Sequence, residues 1–564
     1  MITAVLMAAL AASDAARPVA HPYEREGAAV PQGRIDELVF DRLRRHGIAP
    51  ARVCSDAVFL RRAFLDLAGT LPTAAEARRF LRDDNPDKRR ALIERLLASD
   101  AYADYAAMHW CDLLRVKAEF PINLWPNAAQ AYHGWIRRAM AANLPYDRFA
   151  RELLTSSGSN FRVPQVNFYR AVQSREPETI AQAVALAFMG ARAEKWPKER
   201  RAGMAAFFAR IGYKSTVEWK EEIVFFDRDK EPLRPAVFPD GAAADAPPDR
   251  DEREVFADWL IAPDNPWFAR AGANRVWRRL LGRGIVHEPD DFRPDNPPSN
   301  PELLAHLAHE LIASRWDLKH LYRIIANSTT YQLAPIPAGG GAAEEWFACY
   351  PVRRLEAEVL IDALNQITGT AEKYSSAIPE PFTFVPETLR SIALPDGSIS
   401  SSFLETFGRP ARDTGLDSER SNRPSAAQRL FLLNSSSVQR KLEQGPAIRA
   451  LLDSGAKPRE IVDELYLAVL SRPPTAAERA AVAAYAASGS VNRREAAIDL
   501  VWALINSAEF LYRHCARPCR CWTSARFDSR TNRRRAAARR FARPEAAAGA
   551  PAGRPTAASV RERA

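Results

Sequence analysis

The stretch NPELLAHLAHELIASRWDLKHLYRIIANSTTYQL, from Asn300 to Leu333, decides the fold class. Its apolar residues recur at intervals of three and four, which is the period of an amphipathic helix. Pro301 stands near the start of the first segment, where proline is favoured in helices. The stretch therefore predicts two successive helices.

Helical patterns continue on both sides of this stretch. Residues 253–286 predict two amphipathic helices that are broken by the turn PDNP. Thr73 with Glu76, and Thr475 with Glu478, form capping boxes, each of which satisfies two backbone N–H groups at a helix start. We therefore predict a mainly α fold of two helical domains with long irregular loops and minor β structure in or near the linker.

The linker follows the best strand candidate. VEWKEEIVFFD, at 217–227, clusters β-branched and aromatic residues before a break. Prolines and small residues dominate 228–252, which we predict to be the linker between an N-terminal domain at 33–227 and a C-terminal domain at 253–514. Within the second domain, Gly and polar residues at 368–429 predict long surface loops with little regular structure.

The positive net charge is confined to the C-terminal tail. The chain has 79 basic and 69 acidic residues, and the tail at 515–564 holds thirteen arginines and three acidic residues, which leaves 66 of each in the body. A balanced body argues against a nucleic-acid partner. The tail lacks apolar periodicity and predicts a disordered, arginine-rich segment.

The first 18 residues, MITAVLMAALAASDAARP, resemble a short signal peptide, because an apolar run is followed by small residues. We therefore expect an exported protein, in the periplasm or at the cell envelope. No other apolar run approaches the roughly 18 residues that a membrane-spanning helix needs. The mature chain is expected to have no transmembrane helix.

The acidic stretch HEPDDFRPDNPPSNPELL, which begins at His287, is the first candidate site. His287 with Asp290, Asp291 and Asp295 could hold a hard divalent cation, since carboxylate oxygens suit such ions. No EF-hand order is present, and the prolines keep the backbone extended. The alternative that we favour is structural: Asp290 and Asp291 cap helices or pair with arginines of the preceding segment, namely Arg275, Arg278 or Arg283.

Two histidine clusters are further candidates. Glu302, His306 and His309 could share one helix face and bind zinc, although the H-E-x-x-H pattern is absent and a solvated helix face is the alternative. His109 and Asp112, three residues apart, could form a hydrogen-bonded acid–base pair, or an equally natural buried structural pair.

Aromatic and basic residues supply candidate binding positions. Arg115, Trp125, Arg275 and Trp277 could contact a ligand at the surface, with tryptophans serving as stacking platforms for sugars. At helical spacing most of the tryptophans are expected in the core. The chain has no G-x-S-x-G elbow, Walker loop or dinucleotide fingerprint, so common nucleotide-dependent chemistries lose support.

Several phrases together resemble a two-domain bacterial family of uncharacterised function that is abundant in planctomycetes. They include RRAFLDLAGTLPT, HWCDLLRVKAEF, NPWFARAGANRVWRRLLGRGIVHEPDDF and LSRPPTAAE, and the resemblance covers residues 34–514. The family's N-terminal half is known as a cytochrome-associated domain and its C-terminal half as a companion domain of unknown function. Many relatives carry a C-x-x-C-H-type sequence that implies covalent haem. The matching stretch here, Leu186 to Phe208, contains neither cysteine nor histidine, so we expect no haem.

These patterns favour an exported, non-haem binding or assembly protein of the cell envelope, with polysaccharide or envelope proteins as partners and no nucleic acid. One alternative is a hydrolase that uses a carboxylate pair or a bound divalent cation, in extracellular polymer breakdown. A second alternative is a redox-associated protein. No resident cofactor is predicted.

Overall fold

The computed structural model describes residues 23–513, apart from 232–233, 246, 248, 337–343 and 490. The signal peptide predicted at 1–18 and the disordered tail predicted at 515–564 lie outside the described residues. In the part that the structure describes, no helix is long and apolar enough to cross a membrane.

The mainly α prediction is confirmed, because helices hold most of the described residues. The helices are α1 (Arg34–Arg45), α2 (Asp56–Leu67), α3 (Ala74–Arg82), α4 (Lys88–Leu97), α5 (Asp100–Leu113), α6 (Pro126–Ala141), α7 (Tyr146–Thr155), α8 (Asn167–Arg170), α9 (Pro177–Val184), α10 (Lys198–Ala205), α11 (Glu252–Ile261), α12 (Phe268–Leu281), α13 (Pro301–Ala313), α14 (Leu318–Asn327), α15 (Thr329–Gln332), α16 (Ala357–Thr368), α17 (Ser402–Thr406), α18 (Ala426–Asn434), α19 (Ser436–Gln444), α20 (Pro446–Asp453), α21 (Pro458–Leu470), α22 (Ala476–Ala486), α23 (Arg493–Ile505) and α24 (Ala508–Leu511).

The described strands form one small antiparallel sheet, in the order β1 (Gly158–Ser159), β3 (Glu222–Phe226) and β2 (Ile211–Ser215). The predicted strand is thus present, but it begins five residues later than the β-branched pattern suggests. The residues before it form the turn of the hairpin, in which the Thr216 hydroxyl donates to the Glu221 carboxylate at 2.7 Å.

The structure confirms the helix starts and ends that short sequence patterns predicted. The PDNP turn separates α11 from α12, and Pro301 is the first residue of α13. Both predicted capping boxes form, with Thr73 at the start of α3 and Thr475 at the start of α22.

Replacing Thr73 by alanine is expected to lower the free energy of unfolding by about 0.5–2 kcal/mol, because the Glu76 backbone N–H loses its acceptor. Urea denaturation followed by circular dichroism measures the loss. Thr388→Ala, at an exposed loop position, is the matched control and should change stability by less than about 0.5 kcal/mol. Equal values for the two variants would contradict the role of the cap.

A single hydrophobic core runs from the first half of the chain into the second. Tyr146 of α7 stacks on Phe268 of α12, with ring centroids 4.3 Å apart and planes within 5°. Gly272 permits this approach, since a Cβ atom there would lie 2.8 Å from the Tyr146 ring. The two halves therefore share apolar contacts on both sides of the predicted linker, and the predicted domain boundary stays a prediction.

The segment 368–429 is irregular as predicted, but it is not a set of surface loops. Ile392, Leu404 and Arg412 within it are at most 1% exposed. The segment is buried because its arginines form ion pairs with buried carboxylates elsewhere in the chain. These ion pairs draw an otherwise polar segment into the protein, where it forms one wall of a cavity.

Candidate functional site

A cavity of about 680 Å³ lies between α5, α12, the segment 352–356 and the loop 408–424. Seven arginines and two histidines line it, against four carboxylates. The basic residues are Arg275, Arg278, Arg279, Arg353, Arg354, Arg420, Arg423, His109 and His287, and the acidic residues are Asp112, Glu288, Glu356 and Asp417.

Helix α12 supplies three of the arginines because its sequence has two faces. Val276, Trp277 and Leu280 are buried in the core, and Trp277 meets Phe347 edge to face at 5.1 Å between ring centroids. The arginines lie at helical spacing on the opposite face and point toward the cavity that they line. The predicted surface role of Trp277 is therefore wrong, since the ring is fully buried.

An extended segment supplies two more arginines. Arg354 pairs with Tyr512 in an isolated antiparallel bridge, which holds residues 353–355 in extended form. Alternate side chains of extended backbone point in opposite directions. Arg353 accordingly reaches the Asp66 carboxylate at 2.9 Å, whereas Arg354 donates to the carbonyl oxygen of Phe407 at 2.6 Å.

Asp66 is the centre of a buried polar network behind the cavity. Its side chain is fully buried and receives Arg353 and Arg513 on one oxygen. The Tyr331 and Tyr350 hydroxyls donate to its other oxygen at 2.9 and 2.8 Å. Four donors thus satisfy one buried carboxylate, as buried charge requires.

Glu356 brings a carboxylate to the cavity beside His109. It accepts a hydrogen bond from the Tyr105 hydroxyl at 2.9 Å and lies 3.3 Å from Arg513. Burial alone would raise its pKa, but Arg513 and Arg420 outweigh burial and hold the pKa of Glu356 below its usual value. Glu356 is therefore ionised at neutral pH.

His109 is neutral at neutral pH. Burial, followed by the charges of Arg279 and Arg420, places its pKa well below the usual value. Its Nε2 lies 3.7 Å from a Glu356 oxygen, and its ring meets Tyr105 edge to face. No hydrogen bond joins His109 to Asp112 among the described residues, so the proposed acid–base pair does not form in this arrangement.

Asp112 instead anchors the loop 408–424. Its two oxygens accept hydrogen bonds from Arg412 at 2.9 Å and from Arg420 at 2.6 Å. Arg420 also binds Glu358 of α16 at 2.6 Å, and Arg409 approaches the same carboxylate at 3.4 Å. The cavity wall is thus held to α5 and α16 by buried ion pairs.

The acidic stretch matches the structural alternative. Asp290 is 1% exposed, lies 2.9 Å from Arg275 and accepts the Asp417 backbone N–H at 2.6 Å. Asp291 is paired with Arg293 at 3.2 Å and with Lys195 at 3.5 Å. The stretch therefore packs behind the cavity lining, where Asp290 holds Arg275 and the backbone of Asp417 in place.

The two outer members of this stretch are exposed. His287 lines the cavity mouth, and its pKa is lowered by partial desolvation against the lining and by the charge of Arg283. Asp295 contacts only Arg293 among the residues for which ion pairs are described, and its side chain is 72% exposed.

The structure does not assemble either predicted metal cluster. Glu302 is exposed and lies 3.7 Å from Arg45, and His309 is also exposed, while His306 is half-buried. Within the described residues, no three His, Cys, Asp or Glu side chains are grouped so that they could hold a metal ion. The stretch 186–208 offers no cysteine or histidine for haem.

Two other predicted binding residues do not reach the cavity. Arg115 is buried, and its Nε donates to the Ala171 carbonyl at 2.7 Å, so its predicted surface role is wrong. Trp125 is half-buried and meets Trp219 and Phe382 edge to face.

Most charged residues of the site were not predicted, namely Arg279, Arg353, Arg354, Arg420, Arg423, Glu288, Glu356 and Asp417. For Asp417, Arg420 and Arg423 a signal existed in the stretch GRPARDTGLDSERSNRP at 408–424, where arginines flank a group of acidic residues. Such charge patterning can indicate ion-pair networks as well as solvated loops. The sequence does not say which carboxylates the arginines meet.

The cavity is lined by two regions of the chain that match two different protein-family models. Residues 34–202 match PSCyt2, described as a protein of unknown function (DUF1549), and residues 252–486 match PSD1, described as a protein of unknown function (DUF1553). The chain belongs to a two-domain family of unknown function. In this family member, the PSCyt2 region contributes His109 and Asp112 to the cavity, and the PSD1 region contributes all seven arginines.

Neither the comparison with curated proteins nor the comparison with solved structures found a similar protein. The chemistry of the cavity is therefore what points to a function.

Proposed function

We propose that the protein is an exported, non-haem binding protein of planctomycete type whose cavity holds an anionic ligand at the cell envelope. The excess of arginine over carboxylate in the cavity carries this proposal. Guanidinium groups bind carboxylate, phosphate and sulfate through paired, charge-assisted hydrogen bonds. A cavity of about 680 Å³ has the size of sites that enclose small organic ligands.

An acidic polysaccharide is the partner class that combines these properties with an envelope location. Uronic acid or sulfated sugar units carry the negative charge that the arginines require. A neutral sugar would depend on stacking against aromatic faces, and among the described lining residues Tyr512 is the one Phe, Tyr or Trp beside seven arginines. The charged groups of the sugar, rather than its ring, are therefore the proposed recognition elements.

Hydrolysis is the second candidate function, because His109 lines the cavity as a neutral imidazole and is 14% exposed. A neutral imidazole can accept a proton as a general base. The predicted carboxylate pair, Asp290 and Asp291, is less suitable, because ion pairs with Arg275, Lys195 and Arg293 already engage both side chains. Nothing in the described residues favours the redox alternative.

Arg423→Gln is expected to weaken the binding of trigalacturonate about three- to tenfold, because an exposed guanidinium at the cavity mouth loses its charge. Isothermal titration calorimetry with the full chain measures the change. Arg90→Gln, at an exposed position on α4 outside the cavity, is the matched control and should bind as the unchanged protein does.

Maltotriose, a neutral trisaccharide, tests the role of charge. We expect no measurable binding of maltotriose, and we expect trigalacturonate binding to weaken as NaCl is raised from about 50 to 500 mM, because salt screens exposed charges. Equal binding of the neutral and acidic trisaccharides would contradict the proposal.

A further inference from the structure

The seven arginines of the cavity divide into two groups by their partners. Arg275, Arg278, Arg353 and Arg420 each have a carboxylate within 4.0 Å, supplied by Asp290, Asp417, Asp66, and Asp112 with Glu358. Arg279, Arg354 and Arg423 have no carboxylate at that distance among the described residues. The second group is free to neutralise a ligand.

Arg354 is the deepest of the three and is 4% exposed. Its hydrogen bonds go to the backbone carbonyls of Phe407, Ser421 and Asn422, which are neutral. Its Nη1 atom is buried without an acceptor among the described residues. A buried positive charge whose hydrogen bonds go only to neutral groups is costly, and the negative charge of an anion in the cavity would relieve that cost.

Burial also lowers the pKa of Arg354 to about 10, so the guanidinium is still charged at neutral pH. Its orphan Nη1 is accompanied by two others in the lining, the Nε atoms of Arg275 and Arg353. Three donor atoms of arginines that line the cavity thus lack an acceptor among the described residues.

Arg279 and Arg423 occupy the other two walls. Arg279, on α12, donates to the Tyr322 hydroxyl at 3.3 Å and stands over the Trp110 ring at 5.5 Å. Neither group carries a full negative charge. Arg423, at the end of the loop 408–424, is exposed at the mouth of the cavity. The three unpaired charges therefore come from three separate segments of the chain.

The charge excess persists when the residues behind the lining are included. Arg409, Arg412 and Arg513 stand behind the cavity, and they are matched in number by Asp66, Asp290 and Glu358. Seven lining arginines against four lining carboxylates leave three positive charges, and the backing residues leave that difference unchanged. One singly charged anion would neutralise only a third of this excess.

We infer that the ligand is a multiply charged oxyanion, in which one molecule carries two or three carboxylate, phosphate or sulfate groups. One group binds in the interior beside Arg354, and another binds toward Arg423 at the mouth. The inference rests on the proposed function, because it specifies the ligand of the same cavity.

A charge series tests the inference. Butyrate, glutarate and tricarballylate carry one, two and three carboxylates on short carbon chains, and calorimetry on the full chain at constant ionic strength gives their affinities. We expect each added carboxylate to tighten binding at least about tenfold, since a hydrogen bond between charged groups contributes about 1.5–3 kcal/mol. Phosphate, pyrophosphate and tripolyphosphate form a parallel series that distinguishes phosphate from carboxylate ligands.

Substitutions of single arginines show which arginine binds which charged group of the ligand. Arg423→Gln should reduce the advantage of glutarate over butyrate about tenfold, and Arg90→Gln should leave it unchanged. Arg354→Gln should weaken all members of the series, provided that its thermal denaturation shows a folded protein. Arg423→Gln decides the question if Arg354→Gln does not fold, because Arg423 is exposed.

The outcomes separate the inference from the proposed function. Equal affinities for all three carboxylates, with sensitivity to Arg423→Gln, would leave anion binding standing and overturn the multiply charged ligand. No binding by any member of either series would overturn both. A graded series that Arg423→Gln does not alter would overturn the assignment of the outer group to the cavity mouth.

Discussion

Replacing Asp66 by asparagine is expected to lower the free energy of unfolding by about 3–5 kcal/mol. The substitution preserves the size of the side chain but removes its charge, and it leaves Arg353 and Arg513 without their shared carboxylate. Breaking a buried ion pair is far more destabilising than losing an exposed one, because the remaining charges stay buried. Two tyrosine hydroxyls also lose a charged acceptor.

Equilibrium denaturation in urea, followed by circular dichroism, measures this loss. Asp295→Asn removes a carboxylate of the same type from an exposed position and should cost less than about 1 kcal/mol. A loss below about 1 kcal/mol for Asp66→Asn would contradict the buried network as a source of stability. It would also show that the Asp66 network does not hold the cavity walls in place.

Replacing Arg420 by glutamine is expected to have a comparable effect on stability, about 3–5 kcal/mol, and also to abolish anion binding. Arg420 joins Asp112 of α5 to Glu358 of α16, and both carboxylates lose their shared partner. The loop 408–424, which carries Arg423 and one cavity wall, loses the side chain that binds both helices at once. The affinity for tricarballylate should therefore fall even though Arg354 is unchanged.

Limited proteolysis distinguishes loss of the wall from general unfolding. We expect new cleavage within 408–424 in Arg420→Gln under conditions in which the remaining chain resists digestion. Arg420→Lys should restore little, because an ammonium group cannot bind two carboxylates with the planar geometry of a guanidinium. Unchanged proteolysis and unchanged binding in Arg420→Gln would show that the loop is held by other contacts.

The helices were predictable because their signals are local. Apolar spacing, capping boxes and helix-starting prolines act over four to seven residues, and each appears in the structure where the sequence placed it. The first strand of the hairpin, β2, was missed because Gly212 and Lys214 interrupt its apolar pattern. Its formation depends on pairing with β3, which is a tertiary effect.

The candidate site was predictable only in part. His109, Asp112, Arg275 and His287 were identified from sequence, and the structure brings all four to one cavity. Their arrangement was not predictable, because Asp112 and its partner Arg420 are separated by 308 positions in the chain. Periodicity and composition carry no information about such a pair.

The same reason explains why the polar segment 368–429 looked like surface loops. Arginine, aspartate and glycine have the composition of a solvated loop, and only the distant carboxylates Asp112 and Glu358 draw the segment inward. Buried ion pairs of this kind reverse the usual relation between polarity and exposure.

Crystals soaked in sodium tungstate test whether the arginine cavity binds an oxyanion. Tungstate is a heavy tetrahedral dianion whose anomalous scattering reveals its position. We expect a peak inside the cavity, within hydrogen-bonding distance of Arg354 or Arg279, that disappears in an excess of tricarballylate. Tungstate bound only at the outer surface, with the cavity free of any peak, would contradict anion binding by the cavity.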